Sequence, residues 1–308
     1  MSTKPETSGW LFGIGAFVFW GLAPIYFKAV AMVSADEILA HRIAWCVPVT
    51  LLFMWLLKKR VQIKAVIADR RLLLGLATST ALVSCNWYVF TWAVTHDQIL
   101  ATSLGYFINP IMSIVMGVMF LSEKLTRLQW AAVFAATLGV VNQIINYGEV
   151  PWIALSLATT FALYGFIRKQ LNVDSLNGLL VETSIALPVA SGYIIWTLWQ
   201  QQAVFLAHSI TIDILLISGG FVTAIPLIWF AAAAKKIPLN SVGFLQFIAP
   251  SITFVLATQY YQEPLGSKQL LSFGFIWLGL ALYLVKPFQQ VFIKANQRRK
   301  KNALQSKS

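Results

Sequence analysis

Long apolar runs recur along the whole chain, separated by short polar stretches. Ten are read, at about 9–30, 38–57, 72–94, 102–121, 128–146, 151–168, 178–199, 212–234, 241–261 and 269–287. A helix of roughly 20 apolar residues crosses the hydrocarbon core of a bilayer. The pattern therefore predicts an all-α integral membrane protein of ten transmembrane helices. The connections are too short to hold a soluble domain. Composition agrees, since 58% apolar and 11% charged residues in 308 fall outside the range of soluble domains.

The apolar pattern also repeats. At an offset of 140 residues, Phe107-Ile108-Asn109-Pro110 returns as Phe247-Ile248-Ala249-Pro250. Glu123, Leu125 and Gln129 return as Glu263, Leu265 and Gln269, and Leu138-Gly139 as Leu278-Gly279. Pro48 returns as Pro188, Lys28 as Arg168 and Phe90 as Phe230, all without a gap. The first repeat covers 1–146 and the second 147–288, followed by a basic tail at 289–308. Five spans per repeat is an odd number, so the second repeat enters the membrane from the opposite side. Inverted pairs of this kind mark secondary transporters whose site lies between the halves.

The net charge of +12 changes the picture through its placement. With a cytoplasmic N-terminus, every basic residue except Lys28, Arg42 and Lys268 falls in an inner loop or a terminal segment. Asp36, Glu37, Asp97, Glu149, Asp213 and Glu263 fall in or near outer loops. This positive-inside asymmetry favours an even number of spans with both termini cytoplasmic. The tail, centred on Arg298-Arg299-Lys300-Lys301, suits anionic lipid headgroups. Nucleic acid is not an expected partner, because no folded recognition module accompanies the charge.

Ionisable groups inside spans point to function or to a structural network. Arg42 and Glu182 are equivalent at the 140 offset, each about five residues into the second helix of its repeat. A rise of 1.5 Å per residue puts them roughly 16 Å apart along the membrane normal, too far for a direct ion pair. Arg42, which would hold the outer gate or steady an anionic group, is expected to meet an outer carboxylate such as Glu37, Asp97 or Glu263, and Glu182 to meet an inner base or be protonated. Glu182 is the first candidate for a proton carrier, because low dielectric favours the neutral form of a carboxylate. His41 adjoins Arg42 and reads as a helix-end residue or a pH-sensitive group in the gate. Lys28 and Arg168 each close the first helix of a repeat and are expected to snorkel to the interface. Cys46 and Cys85 read as small core residues.

The third and fourth spans carry Asn86, Trp87, Tyr106 and Asn109, and the eighth and ninth carry Thr223, Trp229, Phe244 and Gln246. Amides are costly in hydrocarbon and should face the bundle, so these eight residues are the expected lining of a central cavity. Ordinary interhelical packing is the alternative. Pro110 and Pro250 each leave a backbone carbonyl unbonded about one turn earlier and are the expected hinges. Gly9 and Gly13 form a small-xxx-small pair for close helix packing, with a homodimer as its other use. No His-Glu-x-x-His, phosphate loop or Gly-x-Ser-x-Gly elbow occurs, so no metal, cofactor or direct use of ATP is expected and an enzyme is disfavoured.

Two five-span repeats, each with Pro-x12-Glu, resemble the EamA branch of the drug/metabolite transporter superfamily. Several segments narrow the likeness, among them Glu37-Ile38-Leu39-Ala40-His41-Arg42-Ile43-Ala44-Trp45 and Ser103-Leu104-Gly105-Tyr106-Phe107-Ile108-Asn109-Pro110. Gln129-Trp130, Pro151-Trp152, Tyr164-Gly165-Phe166-Ile167-Arg168-Lys169 and Gly243-Phe244-Leu245-Gln246-Phe247-Ile248-Ala249-Pro250 extend it. These resemble RarD-type permeases across essentially the whole chain except the tail, with Cys46 standing where a serine is expected. The resemblance implies a bacterial inner-membrane permease linked with chloramphenicol sensitivity or resistance. It also implies a cavity lined by the third, fourth, eighth and ninth spans that binds a small organic solute. A passive facilitator and a non-transporting scaffold are the rival readings.

Overall fold

The computed structural model describes residues 4–95, 99–147, 152–260, 270–283 and 285, and all regular elements among them are helical. In chain order these are α1 (Lys4–Ala29), α2 (Ala35–Leu56), α3 (Ile63–Ala68), α4 (Arg70–Thr95), α5 (Ile99–Phe120), α6 (Arg127–Tyr147), α7 (Trp152–Gln170), α8 (Ser175–Trp199), α9 (Ile210–Lys236), α10 (Leu239–Gln246) and α11 (Ile248–Val255). A π-helical turn, Leu256–Tyr260, extends α11, and α12 covers Leu270–Tyr283. Six stretches are long and apolar enough to cross a membrane: Thr7–Ala29, Ala35–Leu56, Arg70–Ala93, Ser175–Trp199, Ile210–Lys236 and Leu239–Tyr260. Leu104–Phe120 and α12 are shorter apolar helices.

Helix is the structure these segments can adopt in hydrocarbon, because it bonds every backbone group within its own segment. The ends are fixed by polar caps. Ser34 Oγ accepts from the Glu37 N–H at 3.3 Å, Asp174 from Leu176 and Asn177 at 3.1 Å, and Ser209 from Ile212 at 3.3 Å. The apolar side chains of α2, α8 and α9 are spread around the whole helix rather than along one stripe. A helix apolar all round is either buried or lipid-facing. Val189 is 79% exposed and Trp199 80%, so much of the outer surface suits acyl chains rather than water.

The contacts divide the described helices into two units. In the larger, α2 packs along α8 and α9, α5 along α7 and α10, α1 along α9 and α11, and α4 along α7. Its core is aromatic, with Phe230 stacked on Tyr164 at 5.9 Å and 17° and Phe161 5.1 Å from Phe230. Lipid supplies no hydrophobic drive between helices, so close approach must come from small residues. A Cβ on Gly220 of α9 would lie 2.5 Å from the Trp45 carbonyl oxygen of α2, and one on Gly243 of α10 would lie 2.8 Å from the Pro110 carbonyl of α5. Gly9 and Gly13 serve the same end, facing Lys236 and Ile237 and Leu245 respectively. Two loops are tied to helix starts. Glu37 of α2 accepts from Val204 and Phe205 N–H at 2.9 Å, and Asn177 of α8 accepts from Gln62 N–H at 2.7 Å and donates to the Arg60 carbonyl at 3.2 Å.

The smaller unit pairs α6 with α12. A Cβ on Gly139 would meet the Ser272 carbonyl at 2.7 Å and Ile276 at 2.9 Å. One on Gly279 would meet Ala132 and Ala136. Asn142 Nδ2 donates to Ser272 Oγ at 2.7 Å. Thr126 and Gln129 form a reciprocal capping box at the start of α6.

The two proline positions differ. The ninth expected span divides into α10 and α11 at Phe247, where Pro250 lacks the N–H that would bond the carbonyl of Gln246. Pro110 lies within an unbroken α5. Cys46 is buried as expected, whereas Cys85 is exposed because it falls on the outward face of α4. The helix α3 lies in a stretch read as loop. The tail and its lipid reading lie outside the described residues.

Gly192 of α8 has no atom within 4 Å of a notional Cβ, unlike Gly220. Gly220→Ala is expected to destabilise the protein by about 1–3 kcal/mol through overpacking against backbone. Gly192→Ala is expected to be neutral or stabilising by up to about 1 kcal/mol. Thermal unfolding midpoints of the two variants in detergent check the pair.

Candidate functional site

Glu182 sits two turns into α8, 3% exposed, and faces two other helices. Its Oε1 lies 3.6 Å from Nε of Arg168 on α7 and accepts from Ser79 Oγ of α4 at 2.5 Å. Tyr164, one turn before Arg168, brings its hydroxyl within reach of both charged groups. The guanidinium is admitted by Gly178, whose missing side chain would otherwise overlap it. Arg168 is 1% exposed, so it does not snorkel as expected, while Lys28 at the equivalent position is exposed. The physical reason is a carboxylate partner inside the bundle together with the opening at Gly178. The pair is sparsely bonded: Nη2 of Arg168 reaches the Ser175 carbonyl only at 3.5 Å, and Nε and Nη1 find no hydrogen-bond acceptor.

Arg42 on α2 is held differently. Its Nε donates to Thr223 Oγ1 of α9 at 3.0 Å, and its guanidinium carbon lies 5.3 Å from the Phe27 ring and 5.2 Å from the Trp87 ring. Gly219 gives its aliphatic stem room against α9. Tyr26 and Tyr106 lie within electrostatic reach. The expected outer carboxylate is not there. Glu37 is turned toward the backbone N–H groups of Val204 and Phe205, where two free donors outcompete a distant guanidinium. Asp97 and Glu263 lie outside the described residues, and no described carboxylate pairs with Arg42. His41, 1% exposed, accepts from Trp45 Nε1 at 3.1 Å and packs on Phe205, leaving its Nε2 without a partner.

Of the other expected lining residues, Trp87, Tyr106 and Thr223 gather around Arg42, and Tyr106 adds a ring contact with Phe90 at 6.0 Å. Gln246 donates to Ser113 at 3.0 Å, joining α10 to α5, but its Oε1 and the Oδ1 of Asn109 on α5 have no partner. Both residues are buried. Asn86 spends its amide on the Leu157 carbonyl and Thr160 of α7. Trp229 packs on Phe19 and Gly15 of α1, and Phe244 is fully buried near Phe247. Pro110 and Pro250 lie in α5 and α11.

Sequence reasoning expected a base beside Glu182, and Arg168 is that base, but it did not single out Arg168 and missed Ser79 and Tyr164. It also gave Glu123 no role. The Glu123 carboxylate accepts from Leu239 and Asn240 N–H at 2.6 and 2.8 Å, capping the first turn of α10, with Lys169 3.9 Å away. The recurrence of Pro-x12-Glu was the signal available for it.

A family model described as the EamA-like transporter family matches residues 7–142. Protein RarD of Escherichia coli K12 is 39% identical over 285 residues, covering 92% of this chain and 96% of that one. An uncharacterized transporter, YojE of Bacillus subtilis, is 40% identical and covers 92% of this chain and 95% of its own. The chain belongs to the RarD-type branch of the EamA-like transporter family. Chloramphenicol-sensitive protein RarD of Pseudomonas aeruginosa is a more distant relative, 27% identical over 278 residues. A solved crystal structure, 12% identical, superposes with a TM-score of 0.70 over 90% of this chain and 97% of that one, a likeness of fold.

The protein is thus a multi-pass membrane permease of the EamA type, and its charged groups must be read in that setting. A buried ion pair is strongly destabilised by loss of one member, because the other is left uncompensated. Glu182→Leu alone is expected to cost about 3–5 kcal/mol, and Arg168→Met with Glu182→Leu markedly less than the two single losses summed. Thermal midpoints of the single and double variants measure the coupling.

Proposed function

We propose that this permease is an alternating-access secondary transporter exporting small organic solutes across the inner membrane of a bacterium. In this reading ten spans form two inverted five-helix repeats, residues 1–146 and 147–288, with both termini cytoplasmic. Contacts that exchange under the 140-residue offset support the repeat. Gly139 against Ser272 and Ile276 exchanges with Gly279 against Ala132 and Ala136. Glu37 and its offset counterpart Asn177 each bind a loop from the other repeat. Ser79 beside Glu182 is the counterpart of Gly219 beside Arg42. The basic tail meets anionic lipid in the same reading.

The observation that carries the proposal is a pair of equivalent charged residues, Arg42 and Glu182, each buried within a membrane helix and held by groups from other helices. Such groups are expensive in a membrane and mark solute or ion pathways. In the cycle, the repeats rock about a midplane site lined by Trp87, Tyr106, Asn109, Thr223 and Gln246. The break at Phe247, one turn before Pro250, serves as a hinge. A proton taken up by Glu182 loosens its hold on Arg168 and so lets α7 and α8 part. The name of the Pseudomonas relative supports drug-like solutes in the panel. The second reading is a passive facilitator, which the Arg168 partner favours: the pair then stays closed throughout and only holds α7 to α8.

The test is solute flux in proteoliposomes with and without an imposed pH gradient, using aromatic amino acids and chloramphenicol, for wild type and Glu182→Gln. Gradient-driven flux that falls at least about tenfold in the variant is the expected result for a proton carrier. Equal, gradient-independent flux in both would leave the facilitator, and no flux for any solute would count against transport.

A further inference from the structure

The two buried arginines of the larger unit differ in what neutralises them. Arg168 has a carboxylate at 3.6 Å. Arg42, 7% exposed and inside a span, pairs with no described carboxylate. Its Nε is taken by Thr223, and the rings of Phe27 and Trp87 flank the guanidinium. Among the described residues, the remaining four N–H donors, on the two Nη nitrogens, have no hydrogen-bond acceptor. Aromatic faces attract a cation but do not satisfy its N–H groups. A charge held this way in a membrane calls for an anion from outside the chain.

We propose that the Arg42 guanidinium binds the carboxylate of an amphipathic organic monoanion, whose apolar body lies against Trp87 and Tyr106. This rests on the permease reading and names the substrate class of that site. A planar guanidinium with both Nη groups free matches a carboxylate through two parallel hydrogen bonds. Thr223 and the two rings fix its plane, so the fork is set before the ligand arrives. Tyr106 is 45% exposed, lies within electrostatic reach of Arg42 and stands beside Phe90, offering an open aromatic wall. Among the described residues, an ammonium group would find no uncommitted carboxylate nearby. Glu37 is committed to the backbone of Val204 and Phe205, and Asp213 to the N–H of Leu206. A monoanion is therefore preferred over a neutral amide, and both over a cation.

The experiment measures equilibrium binding of radiolabelled 3-phenylpropionate to the purified full chain, with 3-phenylpropionate, 3-phenylpropionamide and 3-phenylpropylamine as competitors. In wild type the acid should compete at least about tenfold better than the amide, and the amine worst. Arg42→Gln should abolish that preference, and Arg42→Lys should retain a weaker one, since a point charge replaces the fork. The charge series in wild type needs no variant to fold. Equal competition by acid and amide, no saturable binding of the acid, or a preference that survives Arg42→Gln would each overturn the proposal. Flux separates this from the permease reading. Wild-type transport of a neutral solute without anion binding sinks the anion site alone. Saturable anion binding without flux of any solute upholds the site and counts against transport.

Discussion

A charge carried into a membrane must find its partner among side chains from other helices, and the Arg168–Glu182 contact is where this chain meets that constraint most fully. It joins α7 to α8, recruits Ser79 from α4, and depends on Gly178 to admit the guanidinium. Three helices are thereby held by one buried contact whose hydrogen bonding is incomplete. In the proposed cycle, incomplete bonding suits a contact that opens. A fully satisfied network rigidifies its surroundings, whereas a pair with spare donors has less to lose when its helices part. At the position 140 residues earlier, Arg42 has aromatic faces and one hydroxyl in place of a carboxylate. Glu182 thus meets a charged partner within the chain, whereas Arg42 meets none among the described residues.

The packing around these positions follows from the absence of a hydrophobic drive between helices in lipid. Contact is made through glycine where backbones meet, at Gly220 on Trp45, Gly243 on Pro110 and Gly139 on Ser272, and through aromatic rings where they stand apart. The close contact of α2 with α9 at Gly219 and Gly220 places Arg42 beside Thr223. The site geometry is in this sense a product of small residues on helices that carry no charge at that level.

The positions of the six long apolar helices were legible in the apolar runs, because hydrocarbon requires both length and internal hydrogen bonding. Arg42 and Glu182 stood out for the same reason: a charge in an apolar run is costly wherever it points. A base beside Glu182 was expected, but which base, and what would hold Arg42, was not legible. Helices that are apolar around the full circumference give no signal of rotation, so nothing in the pattern said that Arg168 turns inward or that Glu37 turns to the 204–205 backbone. Gly178 was the only trace of the first, and it reads in sequence like any other glycine in a span. The two prolines were equally visible, yet only the segment with Pro250 divides, while Pro110 sits in an unbroken helix against which Gly243 packs. Asn86, read as lining, spends its amide on joining α4 to α7, a use that the sequence does not distinguish from binding.

In the proposed cycle, the charged positions near Ser79 and Thr223 open to opposite sides of the membrane and never together. The direct measurement is the reaction of single cysteines, Ser79→Cys and Thr223→Cys in a background lacking Cys46 and Cys85, with a membrane-impermeant thiol reagent applied from each side. The account predicts labelling of position 79 from the cytoplasmic side and of position 223 from the outer side. A transported solute should raise one rate as it lowers the other. Labelling of both from the same side, or of both at rates the solute leaves unchanged, would contradict it.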